Sequence, residues 1–581
     1  MTRTLATFTI SLVLLAAGAG AEEPWKVWPP TEYLVESLAA PVQDELDAFH
    51  EDTGRFGTEP WICSDQNRIY PLAVAWATEH PANPWYHDGR VLHAIARGGE
   101  ALADAMDENG MWTFRKKDNS TWGQIHMPWT YSRWMRAYVL VKDALPAESR
   151  AKWEKGLRLG FSGIRKYMDG GTHNIPTHHA MALAIAGQAF DNADWRDTAK
   201  GFMARVVAEQ NPVGFWSEHS GPVVGYNRVY IDALGVYYAR TKDETVLEAL
   251  RRAAQFHASV LWPDGTAVSA IDERQIYHDQ IDVGNAGFSW TPEGRGFLLG
   301  QVWRFSKDGA KLVDSDYAAT MLLDGHSGEG IPLPSARATG VSWLSDKNAL
   351  IQRHQPWQWA LSGYTCEPSD SRWIQDRQNM VDVYHDQLGL IIGGGNTKLQ
   401  PYWSTFTVGD PAALQHTPGD ESPDFVPSIA LRWTATRAAI KEAEGGATLT
   451  LDYGEHACGV DVLPAADGGV LLRYSAPVGV QAEGHVPFLR RGNAIETAKG
   501  ERIALGEESW MRSAEEIGGE FLFQGLRVIV PPRASLRWPA HQHNPYKKDG
   551  SAPLEAAKLV VVLPFDEVGT CEVRLQAEQT K

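Results

Sequence analysis

The sequence predicts an α+β chain of more than one domain, with helical hairpins first and an all-antiparallel β-sandwich after them. Three observations carry this. Apolar residues recur at helical spacing from about residue 30 to 325. After about residue 340 the pattern shortens to brief strand-like runs between turns. A length of 581 residues is enough for two or three separate cores.

In chain order, Arg3, the apolar run Leu5–Ala17 and the small residues Ala19-Gly20-Ala21 have the order of a secretory signal, with cleavage expected before Glu22. The run is too short for a comfortable membrane span and no later segment offers one, so a secreted or periplasmic protein is expected. Helices are expected over Tyr33–Glu51, Asp88–Met106, Pro128–Lys142, Glu148–Met168, Asn174–Phe190, Asp194–Glu209, Tyr226–Tyr238 and Asp243–Leu261. Turns rich in Gly, Asp, Asn and Pro separate them. Thr291-Pro292-Glu293 opens another, with Thr as N-cap and Pro at the first position. Paired helices in succession suggest hairpins set in a ring or solenoid over residues 22–325, although no fixed repeat length is visible. Residues 326–345, with Gly-Glu-Gly and Pro-Leu-Pro, read as a linker. Residues 346–581 hold the strand-like runs, among them Ala349–Arg353, Trp357–Ser362, Ala447–Asp452 and Ala557–Leu563.

The formal net charge of −18 argues against a nucleic-acid binder. It also sits awkwardly with an anionic glycan, although salt screens charges beyond roughly 8–10 Å and a local basic cleft can act alone. Cys63, Cys366, Cys458 and Cys571 are too few for a disulfide scaffold, and no Cys-x-x-Cys supports a zinc site. Export permits bridges, and Cys458 with Cys571 is the favoured pairing because both lie in the C-terminal part. Most of the 23 tryptophans belong in cores, but indoles also stack on sugar faces.

The chemistry concentrates in two segments. In Gly171-Thr-His-Asn-Ile-Pro-Thr-His-His179, Asn174 is expected to cap its helix, with His178 one turn later on the same face and His179 about 100° away. In Phe215-Trp-Ser-Glu-His-Ser-Gly-Pro222, Glu218 and His219 occupy a loop before a helix on which Tyr226, Tyr230 and Leu234 form one stripe. Such a stripe is usually core packing, but this one follows a polar loop. Arg274 could pair with a substrate carboxylate or with a buried acid such as Asp272. Trp122, Gln124, His126 and Trp129 have the make-up of a sugar-binding wall, and His354 stands beside Trp357 and Trp359 in the β half.

These motifs resemble the polysaccharide lyases built on an (α/α) toroid, an incomplete helical barrel, with an antiparallel β-sandwich: the heparinase II/III-like, alginate and chondroitin/hyaluronate lyases. Glu218-His-Ser-Gly-Pro-Val-Val-Gly-Tyr226-Asn is similar to their Glu-x-Ser-Pro-x-Tyr-His segment, with three extra residues and Asn227 where they have His. Ile351-Gln-Arg-His354-Gln-Pro-Trp-Gln-Trp resembles the strand that opens their β domain. The resemblance implies β-elimination on a uronic-acid polysaccharide, with Tyr226 as the proton-transfer residue and Asn174 as the group that neutralises the carboxylate. Either His178 or His219 would be the catalytic imidazole, with help from Arg274. It implies no required metal or organic cofactor; a structural divalent ion occurs in some relatives, but no ligand set here supports one. Oligomeric state is left open. The rivals are a glycoside hydrolase using Glu218 with Asp264 or Asp272, and a non-catalytic glycan-binding protein.

Overall fold

The structure is a computed structural model that describes residues 27–117, 119–218, 221–272, 280–306, 312–334, 339–365, 377–397, 400–409, 435–443, 445–542, 544 and 551–578. The signal-like segment, His219, Arg274 and Cys366 lie outside them. The chain divides into two compact units. One runs to Glu209 and adds Arg228–Ala254 and Ile281–Pro332; the other holds Gln210–Asn227, Gln255–Gln280 and Leu333–Lys581.

The first unit is helical. Its first helices are α1 (Thr31–Ala39), α2 (Val42–Asp47), α3 (Ile62–Gln66), α4 (Ile69–Ala77) and α5 (Gly89–Asp104). Then come α6 (Pro128–Val141), α7 (Ala147–Arg165), α8 (Asn174–Ala189) and α9 (Ala193–Ala208). Helices α10 (Val224–Thr241) and α11 (Leu247–Ser259) begin in one unit and end in the other. α12 (Ala286–Ser289), α13 (Pro292–Ser306) and α14 (Ser315–Asp324) follow. The helix expected over Tyr33–Glu51 is two helices, because Pro41 has no N–H to continue the first.

Packing makes these helices a two-layered ring. α4 lies against α6, and α6 against α8. Gln188 on α8 donates to the Arg240 carbonyl on α10. α10 meets α12 backbone to backbone: a Cβ on Gly235 would fall 2.2 Å from Gly287 Cα, so both glycines are required by the contact. α14 touches α12 and returns to α4. α5, α7 and α9 form the outer layer, against α4, α6 and α8.

The second unit is a sandwich. Among its described residues are a ten-stranded and a nine-stranded sheet, and every strand pair in them is antiparallel. Strand Gly446–Tyr453 alternates buried and half-buried residues, as a strand with one face on a core must. Trp359, Val383 and Val561 of one sheet share a core with Leu449, Val460 and Val573 of the other. The other face of the first sheet is covered by Phe215, Phe256, Trp262, Val268 and Ile271, which pack on Ile351, Ala360 and Tyr384. This burial explains why two segments from the stretch read as helical belong with the sheets. The stretch read as a linker also contains a strand, Thr339–Trp343, at the edge of the first sheet.

The favoured disulfide does not form: Cys63, Cys458 and Cys571 are buried free thiols. Strand Val470–Ser475 runs between the strands carrying Cys458 and Cys571. Two strand spacings are about 9–10 Å, beyond the reach of a disulfide.

Candidate active site

Inner helices of the ring carry charge where a core would be apolar. On α6, Trp129, Arg133 and Arg136 share a face; on α14, Asp316, Thr320 and Asp324 recur every fourth residue; on α10, Arg228, Asp232 and Arg240 follow the same spacing. Arg133 forks onto Asp316 with bonds of 2.7 and 2.6 Å. Arg136 donates to Tyr70 Oη at 3.1 Å and Thr320 Oγ1 at 3.2 Å, and its guanidinium stands 3.9 Å from the centre of the Tyr70 ring. Asp324, with no exposed surface, faces both Arg136 at 3.5 Å and Arg240 at 2.5 Å. Arg228 lies 3.7 Å from Asp282. Burial raises Asp316, but Arg133 outweighs it and leaves that carboxyl below its ordinary range. Burial dominates at Asp282, whose pKa rises to about 6 despite Arg228. Four arginines thus meet three aspartates, Asp324 serving two of them, and with Asp232 on α10 the named charges of the ring interior balance.

One histidine enters this cluster. His178, one turn into α8, is 7 % exposed and packs on Trp129 with ring centres 5.0 Å apart. Its Nε2 is 3.5 Å from Asp232, and its Nδ1 is buried with no hydrogen-bond partner. Burial holds its pKa below the usual imidazole value, with Asp232 pulling the other way. Asn174 begins the same helix, as its first residue rather than its N-cap: the cap is His173, which makes no side-chain cap bond. Asn174 is half-buried; its Oδ1 accepts from Ile175 N at 2.9 Å, while its amide nitrogen makes no hydrogen bond among the described residues. The helix places Asn174 and His178 on one face.

His179 and His126 are structural. His179 Nε2 donates to the His126 carbonyl at 2.7 Å, and burial brings its pKa to about 3. His126 is 5 % exposed and its Nε2 donates to the Asn109 carbonyl at 3.0 Å, so it is not part of an open sugar wall. The expected wall otherwise divides. Trp129 lies on His178, whereas Trp122 and Gln124 are exposed on the hairpin strand Thr121–Ile125. That strand runs directly into α6, and the His126–His179 bond ties its base to the start of α8.

In the second unit, Glu218 is 8 % exposed in a two-residue strand paired with Gly221–Pro222. Tyr226 is half-buried in the first turn of α10. Asn227 has no exposed surface and clamps Trp216: its Oδ1 accepts from Trp216 N at 2.6 Å and its amide donates to the Trp216 carbonyl at 2.9 Å. A histidine could not make both bonds to one backbone residue, which is a physical reason for Asn at this position. Asp272 is wholly buried and accepts from Val224 N at the start of α10, and Asp264 closes a turn onto Thr266. His354 is exposed at a strand end. Tyr230 and Leu234, assigned to the first unit, are 1 % and 0 % exposed, core members of the stripe.

Arg133, Arg136, Asp232, Asp316 and Asp324 were not singled out by sequence reasoning. Their signal was present: charges at four-residue spacing on helices that are otherwise apolar all round. Among the described residues, no group of three or more His, Cys, Asp or Glu side chains is placed to hold a metal ion, and no helix is long and apolar enough to cross a membrane.

No family model matches the chain, nor does any curated protein sequence. Solved structures do. Heparinase III is similar at 12% identity and a TM-score of 0.52, over 100% of this chain and 88% of that one. Chondroitinase AC lyase, whose active site was defined by oligosaccharide complexes and mutagenesis, is similar at 10% identity and a TM-score of 0.52, over 94% of this chain and 82% of that one. The chain therefore has the fold of these polysaccharide lyases, a helical (α/α) half followed by antiparallel sheets.

Proposed function

We propose that this chain is an exported polysaccharide lyase that cleaves a uronate-containing polysaccharide by β-elimination. The observation that supports it best is the placement, on one face of α8, of the half-buried Asn174 amide and the buried His178 Nδ1, which makes no hydrogen bond among the described residues, in a chain with a lyase fold. Buried polar atoms are rarely left unpaired, and those at functional sites meet their partner in the substrate.

The C5 proton of a uronate is barely acidic while the neighbouring carboxylate keeps its charge. Asn174 would donate to that carboxylate and to the enolate that develops from it; a preorganised donor of this kind contributes roughly 3–4 kcal/mol to the transition state. His178 is neutral in the free protein, since burial lowers its pKa. With Nε2–H directed to Asp232, the lone pair sits on Nδ1 and can accept a proton. Tyr226 is assigned the delivery of the proton to the 4-O leaving group. His219 and Arg274 remain proposed partners of the imidazole and the carboxylate. No metal or organic cofactor enters these steps.

The test is ultraviolet absorbance during incubation with uronate polysaccharides: alginate, glucuronan, ulvan, hyaluronate, chondroitin and heparan sulfates. A conjugated 4,5-unsaturated uronate raises the signal and names the substrate. New reducing ends with a flat trace would replace this reading with hydrolysis.

A further inference from the structure

A pocket of about 270 Å³ lies in the helical unit between the segment Arg55–Ile62 and the strand Trp112–Arg115. Arg55, Trp61, Thr113 and Arg115 line it, and it shares no residue with the charged ring interior. Two of its lining residues carry buried donors that make no hydrogen bond among the described residues, Arg55 Nε and Trp61 Nε1. Leaving a buried donor unmade costs roughly 1–3 kcal/mol, so both donors are available to acceptors brought by water or by a ligand. Nη2 of the same guanidinium donates to the Glu59 carbonyl and to Asp65, which is 4 % exposed and offsets its charge. Arg115 is exposed and forms no ion pair among the described residues, so the pocket as a whole is cationic. Beside it stands an aromatic stack: Phe114 lies 4.3 Å from Trp61 and 4.8 Å from Trp122, the latter nearly parallel at 14°. Lys116 Nζ sits 4.5 Å from the centre of the Trp122 ring and adds positive charge to that wall.

We propose that this pocket is a subsite for one anionic sugar unit of the polysaccharide, an assignment that rests on the lyase reading above for its substrate. Arg115 takes the carboxylate or sulfate, Trp61 Nε1 and Arg55 Nε take hydroxyl or ring oxygens, and the aromatic wall takes an apolar sugar face. The volume sits below the ~300–1,000 Å³ of pockets for larger ligands, which limits the site to about one ring. The net charge of −18 then ceases to be an obstacle, because the anion meets a local cationic surface inside the screening length.

The experiment is affinity electrophoresis of the full chain through gels containing each acidic polysaccharide above, with dextran as the neutral control. Arg115→Ala removes an exposed side chain, and Trp61→Phe keeps an aromatic ring beside Phe114 while removing the indole N–H. The wild type should be retarded by at least one acidic chain and not by dextran, and each variant should weaken retention about tenfold. Variants retained like the wild type, or a wild type that no acidic chain retards, would overturn the proposal. So would release by low sodium sulfate where sodium chloride of equal ionic strength has no effect, which marks a simple anion hole. The two readings fail separately. Unsaturated product with unchanged retention in the variants sinks the subsite alone; retention lost in the variants without any unsaturated product sinks the lyase alone.

Discussion

The helical ring and the β-sandwich bury polar groups to different ends. In the sandwich core, Leu449, Val460, Trp359 and Val561 interdigitate. Buried ions there are held by backbone and hydroxyl groups: Lys558 donates to the Gly393 and Gly394 carbonyls at 2.8 and 3.2 Å, Asp382 accepts from Ser269 N at 2.7 Å and from its hydroxyl, and Arg353 donates to Ser342 Oγ at 3.0 Å. In the ring, Arg133, Arg136, Arg228 and Arg240 are held by side-chain carboxylates, and next to them His178 keeps one nitrogen unused. Burying charge is expensive, and breaking a buried pair is more so. The ring thus concentrates arginine–aspartate pairs around His178, while in the sandwich unit the buried His485, whose Nε2 also makes no hydrogen bond among the described residues, stands 3.5 Å from a single carboxylate, Glu483.

The largest effect should come from cutting the ring's ionic centre. Asp324→Ala leaves Arg136 and Arg240 facing each other without their common anion and should cost about 3–5 kcal/mol in urea unfolding. Leu449→Ala makes a cavity in the sandwich core instead and should cost about 2–5 kcal/mol, with activity per folded molecule preserved. If Asp324→Ala proves no worse than an exposed substitution, the contrast between the two interiors fails.

A subtler change tests the imidazole. The lone pair on His178 is available only when the ring is unprotonated, so kcat/KM should fall on an acid limb lying below the ordinary imidazole range. Asp232 favours the protonated ring, so Asp232→Asn should move that limb to still lower pH, and also lower kcat by loosening the tautomer. A limb that stays in place separates His178 from the chemistry. Smallest of all, Arg473→Ala removes an exposed cross-strand pair with Glu572 at 2.8 Å and should change stability by less than about 1 kcal/mol.

Much of this architecture can be read from period. The expected helix Pro128–Lys142 matches α6, and Asn174–Phe190 matches α8, within a residue. Helix α4, Ile-Tyr-Pro-Leu-Ala-Val-Ala-Trp-Ala, was missed because seven of its nine residues are buried and it has no polar face to reveal a period. The pairing of Cys458 with Cys571 failed because proximity in sequence says nothing about the strand inserted between them. That Asn174 and His178 share one face of α8 was legible from helical spacing alone. The arginine–aspartate partners were not, since each pair joins helices far apart in the chain: Arg133 to Asp316 spans 183 positions.

The most direct test of the account follows unsaturated product and reducing ends in parallel, for the wild type and for Asn174→Ala, on the polysaccharide that gives the strongest signal. The account predicts that both signals rise together in the wild type. In the variant both should slow by about 10²–10³ with stability unchanged within about 0.5 kcal/mol. Reducing ends without absorbance in the wild type, or an Asn174→Ala enzyme as fast as its parent, would contradict it.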